Sequence, residues 1–154
     1  MQTGHEKTLT ALMAALAGTN LIYGLGMIES GVTFDYAQLV IDNEIARMVK
    51  HVVGGVRVDD ESLAVDDIAS VGSFGDFLSL DATMRHMRDT SQPELIDRRV
   101  REDWEARGST DMYQRAMEKA RGLLETHRPE PLPDDVLKQI RGIVDKADRE
   151  RATA

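Results

Sequence analysis

The sequence predicts a mostly α-helical fold with one β-strand, in the order helix, strand, helix and then a helical extension. Apolar residues recur at helical spacing along most of the chain. Asn20–Met27 breaks this pattern because it is almost continuously apolar and contains Gly24 and Gly26. Each glycine would cost a helix interior about 0.5 to 1 kcal/mol relative to alanine, so a buried strand is the better prediction there.

Two helices are predicted on either side of this strand. The first runs from His5 to Ala17 and is stopped by Gly18. The second is capped by Thr33 or Asp35 and ends at Gly54-Gly55. Its apolar stripe is wide enough to be buried on more than one side and consists of Ala37, Ile41, Ile45, Met48 and Val52.

The remaining helices form the predicted extension, because the composition shifts toward charge beyond Val58. Asp59 or Asp60 can cap a short helical turn, and Asp66-Asp67 can cap another. Ser91–Glu94 has the pattern of a capping box, with a hydroxyl three residues before a glutamate and a proline in the first turn. The prediction is therefore seven or so helices, divided into a helix-strand-helix unit at residues 1–58 and an extension at residues 59–154.

Composition excludes several classes of protein. The 154 residues suit one domain, and no apolar run approaches the ~20 residues that span a bilayer. A net charge of −8 argues against a nucleic-acid partner, because binding phosphates needs a basic surface. Without cysteine there are no disulfides or thiolate metal sites, and without a signal-like start the expected location is cytoplasmic.

The four histidines give little support to a metal site. None of His5, His51, His86 and His127 belongs to an HExxH motif or another two-ligand helical spacing. His51 and His127 suit the negative end of a helix dipole, so capping or surface roles are the better interpretation. No bound metal is expected.

The stretch GLGMIESG contains the most informative polar residue of the chain. Gly24 and Gly26 lack the third glycine of a dinucleotide-binding loop and are better explained by close backbone approach at the end of a strand. Glu29 follows the predicted strand by two residues, and in α/β barrels such positions face the active site. The alternative, that Glu29 caps the next helix or lies in solvent, stays open.

Several stretches together resemble the C-terminal third of the trimethylamine methyltransferase family. The most specific are AGTNLIYGLGMIESG and QLVIDNEI, followed by DFLSLDATMRHMR, PELIDRRVREDWEARGS and HRPEPLPDDV. The resemblance implies a (β/α)8 barrel whose members pass a methyl group from a methylated amine to the cobalt of a corrinoid on a separate small protein. Archaeal members carry pyrrolysine, whereas some bacterial relatives that lack it act on quaternary amines such as glycine betaine.

The resemblance implies that this chain holds the last part of such a barrel, with residues 1–58 as its terminal helix-strand-helix. The expected partners are a corrinoid protein, a methylated amine, and either the missing barrel portion or a second copy; the chain itself is expected to hold no cofactor. Tyr23, Glu29 and Asn20 are the candidate substrate-binding residues, since aromatic faces and carboxylates can hold a cation. Many relatives have a His-Thr pair where this sequence has Ala82-Thr83, so no role of that histidine carries over.

Two functions remain open at this stage. One is the C-terminal portion of an amine methyltransferase, which we expect to be inactive alone because one strand cannot close a barrel. The other is a non-catalytic helical interaction module, or a subunit that completes another polypeptide. An exposed strand and wide apolar stripes would both require partners.

Overall fold

The computed structural model describes residues 2–152 and is mostly helical, as predicted. Within these residues, two short strands lie between the first two of eight α-helices. No helix in this range is long and apolar enough to cross a lipid bilayer. The elements are α1 (Gln2–Leu16), β1 (Met27–Ile28), a 3-10 turn (Glu29–Gly31), β2 (Thr33–Phe34), α2 (Tyr36–Val53), α3 (Asp60–Leu63), α4 (Val65–Val71), α5 (Asp81–His86), α6 (Arg101–Ala106), α7 (Met112–Thr126) and α8 (Asp134–Ala152).

The core is built on α2. Asp35 begins this helix by accepting a hydrogen bond from the backbone N–H of Gln38 at 2.6 Å, which confirms Asp35 as the cap and not Thr33. The helix ends at Gly54, as predicted. Its buried apolar side chains pack against Leu95, Ala116 and part of α1, and they are Ala37, Ile41, Ile45 and Val49. Val52 of the predicted stripe is mostly exposed.

The predicted strand over Asn20–Met27 is wrong in extent. Only Met27 of that stretch lies in a strand, and β1 pairs with β2 in a small antiparallel hairpin, Met27 opposite Phe34 and Ile28 opposite Thr33. The stretch is not buried throughout either, since Leu21 is 75% and Tyr23 82% exposed. A strand needs neighbours for its backbone groups, and within residues 2–152 no strand pairs with Asn20–Tyr23.

The predicted capping box at Ser91–Glu94 is also wrong. No helix begins there, and the next helix starts at Arg101. The backbone N–H groups of Glu94, Leu95 and Ile96 instead donate to the carboxylate of Glu44 on α2, at 3.1, 2.6 and 3.0 Å. These N–H groups are therefore satisfied by the buried carboxylate of Glu44 on a distant helix, and not by a local helix cap.

Of the two caps predicted in the acidic stretch, one is confirmed. Asp59 caps α3 by accepting from the N–H of Ser62 at 2.9 Å, and the Ser62 hydroxyl accepts from the N–H of Asp59 in return. Asp66 and Asp67 cap nothing; they lie in the first turn of α4, which follows Ala64 in a left-handed conformation at φ 49°.

The described residues fall into two compact units that divide between Arg121 and Gly122. The first unit contains α1 to α6 and most of α7, together with the core on α2. The second contains the end of α7 and all of α8, whose apolar side chains Leu137, Ile140, Ile143 and Val144 are exposed. The boundary after residue 58 concerns the parent barrel and stays a prediction.

Candidate functional site

A pocket of about 350 Å³ lies in the first unit, between α1, α2 and the segment Leu21–Leu25. Its walls are mainly apolar, and its charged members are Lys7 from α1 and Asp42 from α2. The other lining residues are Thr10, Ala11, Ala14, Leu21, Ile22, Tyr23, Gly24, Leu25, Ile45 and Ala46.

Asp42 is the centre of the hydrogen-bond network beside this pocket. It is only 5% exposed, and an ionised carboxylate at that depth needs partners for both oxygens. Oδ2 accepts from the Lys7 ammonium and from the backbone N–H of Gly26 at 2.8 Å. Oδ1 accepts from the Gln38 side-chain amide at 2.7 Å. Asp42 thus connects α1 and α2 to the turn that follows Tyr23.

The turn itself depends on two glycines. Gly24 and Gly26 have φ of +98° and +79°, a region that residues with a Cβ rarely adopt. A Cβ on Gly26 would lie 2.6 Å from the Phe34 ring and 3.1 Å from the Leu39 Cβ. The Gly26 carbonyl accepts from the N–H of Asp35 at 2.9 Å, so Gly26 is held through both of its backbone polar groups.

This turn is connected to α7 through Asp35. The Tyr113 hydroxyl donates to Asp35 Oδ2 at 2.8 Å, while Oδ1 of the same carboxylate caps α2. The hydrogen bond to a negatively charged acceptor raises the pKa of the Tyr113 hydroxyl, because ionisation would place two negative charges together.

The backbone of Asn20–Tyr23 contrasts with this well-held turn. Thr19 donates to the Ala14 carbonyl at 3.2 Å, and the next backbone bond along the chain is from Met27 to the Gly24 carbonyl at 3.1 Å. Between them, Asn20–Tyr23 form no backbone–backbone hydrogen bond with any described residue. Their N–H and C=O groups are available to another strand.

The three predicted substrate residues lie in different surroundings. Tyr23 lines the pocket with most of its side chain exposed, and Asn20 is exposed at the start of the same segment. Glu29 lies beyond the hairpin strand β1 at φ 53°, where its carboxylate accepts from the Thr33 hydroxyl at 2.7 Å. Glu29 is absent from the pocket lining formed by residues 2–152.

Lys7 and Asp42 were not predicted as site residues. A signal for Asp42 was available, because Gln38 and Asp42 are four residues apart within a helix whose apolar stripe is wide. Lys7 could not be found in this way, since its contact depends on how α1 packs on α2. Elsewhere in the described range, no group of three or more histidine and acidic side chains is placed to hold a metal ion.

The whole described range matches the model of one protein family. That family is trimethylamine methyltransferase, and the match covers residues 1–152. The chain belongs to the trimethylamine methyltransferase family. This confirms the resemblance seen in AGTNLIYGLGMIESG and QLVIDNEI, which contain the Gly24–Gly26 turn and Asp42 respectively.

Individual relatives within the family agree. The chain is 54% identical, over 99% of its length, to trimethylamine methyltransferase MttB of Desulfitobacterium hafniense, and 50% identical, over 96%, to MttB2 of Methanosarcina mazei. It is 28% identical, over 97%, to a glycine betaine methyltransferase of Desulfitobacterium hafniense. The chain spans only about a third of the length of these relatives, 31%, 30% and 31% in turn.

Proposed function

We propose that this chain is the C-terminal portion of an enzyme that transfers a methyl group from a methylated amine to a corrinoid protein. The observation that carries the proposal is the family match over residues 1–152, together with relatives named for methyl transfer from trimethylamine and glycine betaine. The amine is trimethylamine or a quaternary amine such as glycine betaine. The parent enzyme is proposed to be a (β/α)8 barrel in the cytoplasm.

The bare backbone of Asn20–Tyr23 supports an incomplete barrel. Four consecutive residues here form no backbone–backbone hydrogen bond in the described range, and in a barrel the N–H and C=O groups of each strand bond to neighbouring strands. The apolar side chain of Leu21 in this segment is exposed as well, 75% accessible. Pairing with a strand from the remaining part of the enzyme would satisfy the backbone and cover this side chain.

The chemistry requires a site that holds a cation. In methyl transfer from a quaternary amine, the C–N bond breaks with its electron pair left on nitrogen, so a neutral amine leaves without needing a proton. The corrinoid, held by a separate partner protein, supplies the cobalt nucleophile. This chain's contribution is then to bind and orient the ammonium group, for which the exposed ring of Tyr23 is suited through cation–π attraction. Asn20 at the start of the segment and Glu29 beyond β1 would add polar contacts.

Reconstitution from two pieces tests the proposal. The chain is mixed with the part of the 54%-identical Desulfitobacterium relative that it does not match, and methylcobalamin formation from cob(I)alamin is followed with trimethylamine or glycine betaine. Methyl transfer is expected only when both pieces are present. Activity of this chain alone would contradict the incomplete barrel, and an inactive but assembled pair would contradict the methyltransferase.

The second candidate is a non-catalytic helical module that completes another polypeptide. The exposed apolar side chains of α8 favour it, because a solvated helix rarely carries four of them on one face. Light scattering after size-exclusion chromatography distinguishes the two. The module predicts a stable complex without methyl transfer, whereas the methyltransferase portion predicts that complex formation and methyl transfer appear together.

A further inference from the structure

We propose that Asp42 is a positioning residue, which sets the orientation of Tyr23 and through it the contact with the ammonium group of the substrate. The inference rests on the proposed function for its substrate but not for its geometry. Asp42 itself is 5% exposed, and its hydrogen bonds are to Lys7, Gln38 and the backbone N–H of Gly26. It acts through the backbone of Gly26.

The buried position of Asp42 indicates a structural role, in which its carboxylate joins α1, α2 and the turn at Gly24–Gly26. A carboxylate is costly to bury, and this one is kept by a cation from α1, an amide from α2 and one backbone N–H from the turn. Lys7 and Gln38 could be replaced by other polar partners, but the N–H of Gly26 has a fixed direction. The carboxylate therefore fixes where the turn lies relative to both helices.

The position of Tyr23 depends on that of the turn, because Tyr23 directly precedes Gly24 in the chain. The segment before the turn is held at Thr19 and then at no backbone atom until Gly24, so its C-terminal end is the nearer anchor of Tyr23. Two residues with left-handed φ make the turn unusually permissive, since glycine can adopt many other conformations. Without the bond from Gly26 to Asp42, the turn would keep its bonds to Asp35 and Met27 but would no longer be tied to α2 and α1 through Asp42, and Tyr23 would shift with it.

Cation–π attraction makes this orientation matter. The ammonium group must lie over the face of the ring, within about 6 Å of its centre. The Tyr23 side chain is 82% exposed in this chain, so few side-chain contacts hold the ring in place. Its direction comes from the backbone, and Asp42 is the buried group that holds that backbone.

The first experiment uses this chain alone, so that it does not depend on catalysis. Asp42→Ala is compared with Glu44→Gln, a matched control, because Glu44 is a carboxylate of the same helix, is 3% exposed and also binds backbone N–H groups. In Asp42→Ala the Gly26 amide is expected to exchange at least about ten-fold faster and the Tyr23 ring signals to shift. Glu44→Gln keeps one acceptor oxygen, and it should change the Leu95 amide and leave the Tyr23 ring signals unchanged.

A second variant keeps the test valid if Asp42→Ala does not fold. Asp42→Asn retains one neutral oxygen as the acceptor for Gly26 and Lys7, but its amide nitrogen then faces Gln38, which donates to the native carboxylate. Its changes should have the same direction and be smaller. An unchanged Gly26 amide and unchanged Tyr23 ring signals in this folded variant would overturn the proposal.

The second experiment uses the reconstituted two-piece enzyme and a double-mutant cycle. Asp42→Ala is expected to raise the KM for the amine about ten-fold with a smaller effect on kcat, as loss of one charge-assisted hydrogen bond predicts. In a Tyr23→Ala background the same substitution should raise KM less than about two-fold, because the ring it positions is gone. A merely structural role would give equal effects in both backgrounds, and that result would overturn the proposal.

The two proposals fail separately. If the wild-type pair transfers no methyl group, the proposed function is contradicted, while the Gly26 and Tyr23 signals still decide whether Asp42 positions the turn. If the pair is active but the cycle is additive, the methyltransferase stands and the positioning role of Asp42 does not.

Discussion

Two irregular segments of this molecule lie beside α2, and a buried carboxylate of that helix holds each of them. Glu44 accepts from three successive backbone N–H groups at Glu94, Leu95 and Ile96. Asp42 accepts from one, at Gly26, and Asn20–Tyr23 before it form no backbone–backbone bond among the described residues. The 94–96 segment is therefore complete within this chain, whereas residues 20–23, here called the incomplete segment, have no backbone partner among the described residues. Irregular structure alone does not distinguish these two cases, but backbone hydrogen bonding does.

The largest effect is expected where the complete segment is broken. Glu44→Ala leaves three backbone N–H groups without their acceptor and should lower the free energy of unfolding by about 4 kcal/mol in urea denaturation. Glu44→Gln keeps one acceptor oxygen and should cost about half as much.

The matched control is an exposed carboxylate. Glu105→Ala removes a surface ion pair with Arg101 and should change the free energy of unfolding by less than about 0.5 kcal/mol. If Glu44→Ala cost no more than this control, the 94–96 segment would not depend on Glu44 and the comparison would be wrong.

The next effect concerns Gly26, in the turn that follows the incomplete segment. Gly26→Ala must adopt a left-handed φ and place a Cβ 3.1 Å from the Leu39 Cβ, so it should lower the free energy of unfolding by about 2 kcal/mol or more. Gly55→Ala is the control, because Gly55 has φ +73° with open space around it and should cost only about 1 kcal/mol. Equal losses would mean that the contact with Phe34 and Leu39 does not constrain the turn.

The elements that local sequence controls were predictable. Asp35 and Asp59 cap their helices because each carboxylate is positioned to reach an N–H three residues ahead, a pattern visible in the sequence. Gly54 ends α2 for an equally local reason. The family itself was recognisable from residues around Gly24 and Asp42, and the match confirms it.

The errors arose where a distant residue decides the local structure. Ser91–Glu94 has a good capping pattern, but Glu44, 50 residues from Glu94, binds the N–H groups that a helix would have used. Asn20–Met27 has the composition of a strand, yet a strand also requires a neighbour in space. The Lys7–Asp42 pair was missed for the same reason, since sequence alone does not show which turn of α1 faces Asp42.

A smaller effect is expected from the charges at the edge of the complete segment. Hydrogen bonds from Lys119 and Arg47 lower the pKa of Glu94 below its usual value of 4.5. The stabilisation that ionised Glu94 gives to the folded state is therefore fully present above about pH 4.5 and is lost as the pH falls through the lowered pKa. Glu94→Gln should be modestly destabilising in urea at about pH 6, and the difference from wild type should shrink on acidification.

Lys119→Met removes the main partner of Glu94. It should lower the free energy of unfolding at about pH 6, and this difference from wild type should also shrink on acidification. Because Glu94 is about half exposed, the change is expected to be modest. A difference between Glu94→Gln and wild type that grows toward acid pH would contradict the assigned direction of the shift.

The smallest effect on the chain's own stability is expected from a substitution within residues 20–23. Residues 94–96 differ, because the loss of their contacts with Glu44 should destabilise this chain. Leu21 is 75% exposed, so Leu21→Asp should change the free energy of unfolding by less than about 0.5 kcal/mol. The same substitution places a charge on the face that we propose is covered in the whole enzyme. It should therefore prevent assembly with the missing part and abolish methyl transfer by the reconstituted pair.

Val56→Asp is the matched control, because Val56 is 90% exposed but lies outside the segment. It should alter neither stability nor assembly, so a defect limited to Leu21→Asp would locate the missing partner at Asn20–Tyr23. Equal assembly of both variants would mean that this backbone faces water in the whole enzyme. The unpaired N–H and C=O groups would then be solvated, as in any exposed loop, and would no longer indicate a neighbouring strand.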